Sequence, residues 1–232
     1  MEAAADGATN LALAEMIDPG TDGQWQVDGS PRILKVGAYE ISIATRDEAG
    51  KVDINNAPTG MLKALAESAG MPGHDADAAI NAIERHRGRR YGDGDAQPTS
   101  DGAPATILRS VDEAASTAAF PPAAWNCLRP YLTVYTGLDG VDQRYASNTV
   151  LQALAKMLLA PTTQSGAVAR GDPGPTSSLA GKVLALDASL HGEEGNFRSR
   201  IVVRLTGDPK RMLLIGAWDM DAGDDPGASC PP

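Results

Sequence analysis

The chain has 232 residues, 42% apolar and 22% charged, with a formal net charge of −10, the balance of a folded globular protein. Each third of it carries more acidic than basic side chains, which disfavours nucleic-acid binders and anionic-lipid binders, since both need concentrated positive charge. No run approaches the roughly 20 apolar residues of a membrane span, and the start does not have the form of a signal peptide.

The first predicted element is a helix over residues 3–17, rich in Ala and Leu. Ala5, Ala8, Ala12 and Met16 fall on one stripe, small enough to admit a second helix closely. That stripe is a candidate partner interface, and packing on the protein's own sheet is the competing expectation. The helix opens at Met1 with no cap or preceding turn, so a truncated N-terminus is expected. Asp18-Pro19-Gly20 ends it.

Residues 25–36 read as a short strand or turn pair. Residues 38–46 alternate, with Tyr39, Ile41, Ile43 and Thr45 on one face, which predicts a half-buried strand. Residues 47–56 (DEAGKVDINN) read as a polar loop. Pro58 then opens a helix at its first turn, with Leu62 and Leu65 inward. A second helix is predicted from Ala76 to about His86, with Ala79, Ile80 and Ile83 inward.

Residues 88–106 form a loop rich in Gly, Pro and Asp. Two short helices follow, one capped by Ser110 or Asp112 and one opened by Pro121 and Pro122. A strand is predicted over 132–136, and an amphipathic helix over 149–159 with Val150, Leu151, Leu154 and Leu158 apolar. Residues 160–180 are rich in Pro, Gly, Ser and Thr. Three strands in meander spacing close the pattern, at about 183–190, 197–205 and 212–218. The fold class is therefore α+β, with a helical block at about 57–130 between two strand signals.

Chemistry is sparse. Nucleophile-elbow, Walker and HExxH motifs are absent, and His74, His86 and His191 stand alone. No enzyme activity is expected. Asp93, Asp95 and Asp101 place oxygen donors in a Gly-rich loop, a pattern that suits calcium although it lacks the EF-hand glutamate. Asp219, Asp221, Asp224 and Asp225 form a terminal acidic cluster read as solvated. Cys127 and Cys230 are compatible with a disulfide or with two free thiols.

Two resemblances rest on quoted residues. Val52-Asp53-Ile54-Asn55-Asn56-Ala57, with Leu62, Leu65, Gly70, Ala79-Ile80 and Arg85, resembles a helix-hairpin-helix unit, which in its DNA-binding members would imply nucleic-acid contact. Here the hairpin carries Asp75 and Asp77 where phosphate would approach, so nucleic-acid binding is not expected.

The wider resemblance is to type II secretion system protein K, the large minor pseudopilin. Asp47-Glu48-Ala49-Gly50-Lys51-Val52-Asp53-Ile54-Asn55 is similar to that family's signature. So are Ser110-Val111-Asp112-Glu113, Leu128 to Tyr135, Asn148-Thr149 with the helix after it, Val202 to Leu205, and Gly216-Ala217-Trp218. Glu2 to Ala14 resembles the family's N-terminal helix.

The resemblance implies a pilin-like fold, in which an N-terminal helix packs on an antiparallel sheet. Residues 1–56 and 131–232 would form that part, and 57–130 a large inserted helical subdomain with helix-hairpin-helix-like units. It also implies a structural role at the tip of a periplasmic pseudopilus, beside the I and J minor pseudopilins. The protein would be anchored in the bacterial inner membrane by a helix ahead of this chain. The family's acidic stretch after the second insert helix reads Glu84-Arg85-His86-Arg87-Gly88-Arg89-Arg90 here, so any calcium role would pass to Asp93, Asp95 and Asp101. A helix-hairpin-helix nucleic-acid module and a calcium-stabilised periplasmic binding domain are the competing readings.

Overall fold

The computed structural model describes residues 1–18, 25–90, 97–98, 106–118, 122–159, 179–192, 195–208 and 210–219. The chain divides into two compact units, Met1–Glu48 with Asp172–Asp224, and Ala49–Gly171 with Asp225–Pro232.

The first unit is one helix on one antiparallel sheet. Helix α1 (Glu2–Ile17) follows from its Ala and Leu content, and the Asp18 N–H closes its last turn on the Ala14 carbonyl at 3.1 Å. The sheet holds β1 (Asp28–Val36), β2 (Tyr39–Asp47), β7 (Val183–Gly192), β8 (Gly195–Asp208) and β9 (Arg211–Asp219), in the order β1-β2-β7-β8-β9. The alternation predicted around residues 38–46 is present: Ile41, Ile43 and Thr45 are buried, whereas Tyr39, at the turn, is exposed. Register then carries one apolar face across the sheet. Ile43 faces Ala188, Leu186 faces Ile201, and Leu184 faces Val203, all of them buried.

Helix α1 packs across β1, β2, β7 and β8. Its contact stripe is Ala5, Ala8, Ala12 and Met16, all buried. The partner interface expected on these four residues is therefore corrected. Their small side chains let the helix approach its own sheet closely, so that face is already occupied from within the unit.

The second unit is helical. Its elements are β3 (Val52–Asp53), α2 (Thr59–Ser68), α3 (Gly73–His86), β4 (Arg89–Arg90), β5 (Gln97–Pro98), α4 (Val111–Ala118), α5 (Pro122–Leu128), β6 (Leu132–Thr133) and α6 (Asn148–Leu159). Leu62 and Leu65 from α2, with Ala79, Ile80 and Ile83 from α3, are buried as the spacing predicts. Pro58 and Pro72 take the N-cap positions of α2 and α3, where a missing N–H costs no helical hydrogen bond. Ser110 caps α4, its Oγ accepting the Glu113 N–H at 3.1 Å, while Glu113 Oε2 accepts the Arg109 N–H at 2.8 Å.

This unit extends beyond the expected bounds of 57 and 130. β3 precedes Pro58 and pairs in parallel with β6, which follows Tyr131. α6 packs on α2, and Val52, Ile54, Leu132, Val141, Val150 and Leu154 belong to the same buried cluster as Leu62, Leu65 and Ile83. The strand predicted over 132–136 stops after Thr133. On α6, Val150 and Leu154 are buried but Leu158 is exposed.

Candidate functional site

In the stretch Asp47 to Asn56, expected to be a polar loop, Asp47, Glu48, Asp53 and Asn55 each have side-chain partners from elsewhere in the chain. In the first unit, Asp47 and Glu48 are buried carboxylates. The Lys182 ammonium pairs with Asp47, and Arg200 Nη2 donates to Glu48 Oε1 at 3.0 Å. Arg200 also lies 3.7 Å from Asp187, which pairs with Arg46 at 3.0 Å. Each buried charge thus has its counter-charge, the condition under which burial is tolerated.

In the second unit, Asp53 is fully buried and its carboxylate is saturated by donors. Oδ1 accepts the Asn55 N–H at 2.9 Å and Asn56 Nδ2 at 3.1 Å. Oδ2 accepts the Thr136 hydroxyl at 2.9 Å and the Gly137 N–H at 2.8 Å. Asn55 continues the frame through both atoms of its amide, which bond the Leu108 backbone. Gly50 lies so close to Tyr145 that a Cβ there would sit 2.2 Å from the Tyr145 carbonyl oxygen, so only glycine fits.

A second buried pair sits at the end of α3. Arg87 Nη1 donates to Glu84 Oε1 at 2.8 Å and to the Ala57 carbonyl at 3.0 Å, and Arg87 Nη2 donates to the Ile54 carbonyl. The Thr59 hydroxyl donates to Glu84 Oε1 at 3.1 Å. This arginine ties the segment before α2 to the C-terminus of α3.

The other sequence candidates fall as follows. Asp93, Asp95 and Asp101 lie outside the described residues, as do Asp221, Asp224 and Asp225. Among the described residues no group of three or more His, Cys, Asp or Glu could hold a metal ion. His74 pairs with Asp75 at 3.0 Å on the surface, and His191 Nδ1 lies 2.9 Å from Asn196 Oδ1. Lys63 holds Asp77 at 2.7 Å. Cys127 is disulfide-bonded, and the chain's other cysteine, Cys230, lies outside the described residues. No helix among the described residues is long and apolar enough to cross a membrane.

Asp47, Glu48, Asp53 and Asn55 belong to the stretch similar to the family signature, but the sequence alone does not reveal these partners. Their spacing, with polar residues alternating at Asp53 and Asn55 beside apolar Val52 and Ile54, was the available signal. In the sequence Glu84 and Arg87 stand out only as part of a departure from an acidic motif.

No protein-family model and no curated protein matches the chain. Among solved structures, it is similar to a chain of the GspK–GspI–GspJ complex from the type 2 secretion system of enterotoxigenic Escherichia coli, with a TM-score of 0.61 at 13% identity. The likeness covers 95% of this chain and 94% of that one. The fold is GspK-like. It is α+β, with an N-terminal helix on an antiparallel sheet.

Proposed function

We propose that this chain is a minor pseudopilin of the K type, acting in type II secretion as a structural component and not as an enzyme. In this reading it caps the tip of the periplasmic pseudopilus, helps to initiate its assembly, and sits beside I-type and J-type minor pseudopilins. The observation that carries the reading is the fold likeness along nearly the whole of both chains. Three features agree with it. The polar signature residues are spent on internal support rather than on a reactive centre. The helical unit holds more than half of the residues, a mass that suits an end position better than one beneath another subunit. The disulfide at Cys127 fits an oxidising compartment such as the periplasm. The protein would be held at the inner membrane by an N-terminal segment.

The test is co-elution with the periplasmic parts of the I-type and J-type partners at micromolar concentration. A stable ternary peak is expected. Three separate peaks at that concentration would remove the reading.

A further inference from the structure

Three residues around the end of α1 go against the local preferences of their positions. Glu15 is an acid in the last turn of a helix, a turn without any basic residue, so it stands where the helix dipole favours a cation. Arg32 lies opposite Ile43 in the β1–β2 register, which puts a guanidinium on the face where Leu34, Ile41 and Ile43 are buried. Trp25 precedes β1, outside any helix or strand, yet is only 7% exposed.

The three side chains meet. Glu15 Oε2 accepts the Trp25 indole N–H at 3.1 Å and lies 3.1 Å from Arg32 Nη1. The Arg32 guanidinium carbon is 4.8 Å from the centre of the Trp25 ring. One carboxylate oxygen thus serves both partners, and the cation lies over the ring that shares it with them. Each misfit is explained by the other two. The Glu15 and Arg32 side chains are 26% and 37% exposed, so water and salt reach the ion pair.

Apolar packing alone holds α1 lightly. Ala5, Ala8 and Ala12 each bury little area, and Leu13 and Met16 are the large side chains it buries. Strand β1 is an edge, paired with β2 alone among the described strands. The ladders between β2, β7 and β8 include none of the three residues, so the end of α1 can open while those ladders hold.

We propose that Glu15, Trp25 and Arg32 form a charge-dependent clasp that fastens the end of α1, and the chain returning from it, to the edge strand. Its opening is a local event, separate from unfolding of the sheet. Glu15 and Arg32 are positioning residues in this device.

Residue-resolved hydrogen exchange of the full chain reads the opening. The reporters are the amides of residues 15–18, among them the Asp18 N–H that bonds the Ala14 carbonyl. Glu15→Gln keeps an acceptor for the indole and removes the charge. It is expected to speed exchange at these amides about tenfold in low salt and to abolish the salt dependence that wild type shows. Arg32→Met is expected to do the same. Glu15→Arg with Arg32→Glu restores the attraction in reverse and is expected to exchange about threefold more slowly than either of its single changes. Amides of β7 and β8 are expected to stay within about twofold of wild type throughout.

Exchange at residues 15–18 within about twofold of wild type in both Glu15→Gln and Arg32→Met overturns the clasp. Equal acceleration in β7 and β8 overturns the separate opening, because the variants then act through global stability. A reversed pair no slower than its single changes overturns the pairing of the two charges.

Discussion

Asn55 grips the backbone of Leu108 from both sides: its Nδ2 donates to the Leu108 carbonyl at 2.9 Å, and its Oδ1 accepts the Leu108 N–H at 2.9 Å. The two residues are 53 positions apart, so this one amide fixes the loop before α4 against the segment before α2. Asn55→Ala strands both backbone groups beside a buried side chain and is expected to cost about 2–3 kcal/mol. Asn55→Asp is nearly isosteric but sets an acceptor against the Leu108 carbonyl. It is expected to be at least as damaging at neutral pH. Urea unfolding of the two variants checks the order.

Glycine substitutions separate space from backbone preference. Gly50→Ala brings a Cβ against the Tyr145 backbone, at 2.2 Å from its oxygen and 2.4 Å from its carbon, and is expected to destabilise by about 2–3 kcal/mol. Gly60 lies within α2, and the nearest atom to a Cβ there is Met157 Cγ at 3.9 Å. Gly60→Ala is therefore expected to stabilise by up to about 1 kcal/mol. Thermal melts of the pair should shift in opposite directions.

Removing one member of the Glu84–Arg87 pair leaves the other charge buried. Glu84→Ala or Arg87→Ala is expected to cost about 3–5 kcal/mol. Replacing both with apolar residues, as in Glu84→Leu with Arg87→Met, should cost clearly less than the sum of the single changes. A double-mutant cycle from denaturant melts measures that coupling, and strict additivity would show that the two side chains act independently.

Reduction tests the covalent link at Cys127. Since the chain has one other cysteine, a Cys127–Cys230 bond closes a loop of about 100 residues, for which chain entropy alone predicts about 4–5 kcal/mol. Dithiothreitol, or Cys127→Ala, is expected to lower the melting temperature markedly. Peptide mapping without reductant should recover the two cysteines in one linked fragment, and a dimer on a non-reducing gel would contradict the intramolecular pairing.

Much of the architecture was readable because it follows period and burial. The alternation at Ile41, Ile43 and Thr45, the inward positions of α2 and α3, and the closing meander all reflect apolar surface leaving water. The support frame was not readable as such. Asp53 looks like a loop carboxylate until Thr136 and Gly137, over 80 residues away, arrive as its donors. The same contact turns Thr136 toward Asp53 and accompanies the early end of β6. The stripe at Ala5, Ala8, Ala12 and Met16 showed correctly that something packs there, but periodicity carries no information about whether the neighbour is the same chain or another.

Strands β3 and β6 run side by side in the same direction, Val52 against Leu132 and Asp53 against Thr133. Parallel neighbours need a long crossover between them, and here that crossover is the run from Ile54 to Tyr131. The helical block thus cannot be excised at residues 57 and 130 as a portable cassette, because that cut removes the crossover joining β3 to β6 while leaving both strands, with Asp53 and its donors, in the remnant. A graft that keeps these backbone bonds has its seams outside this pair, ahead of Ala49, whose carbonyl accepts the Asp142 N–H at 2.7 Å, and after α6.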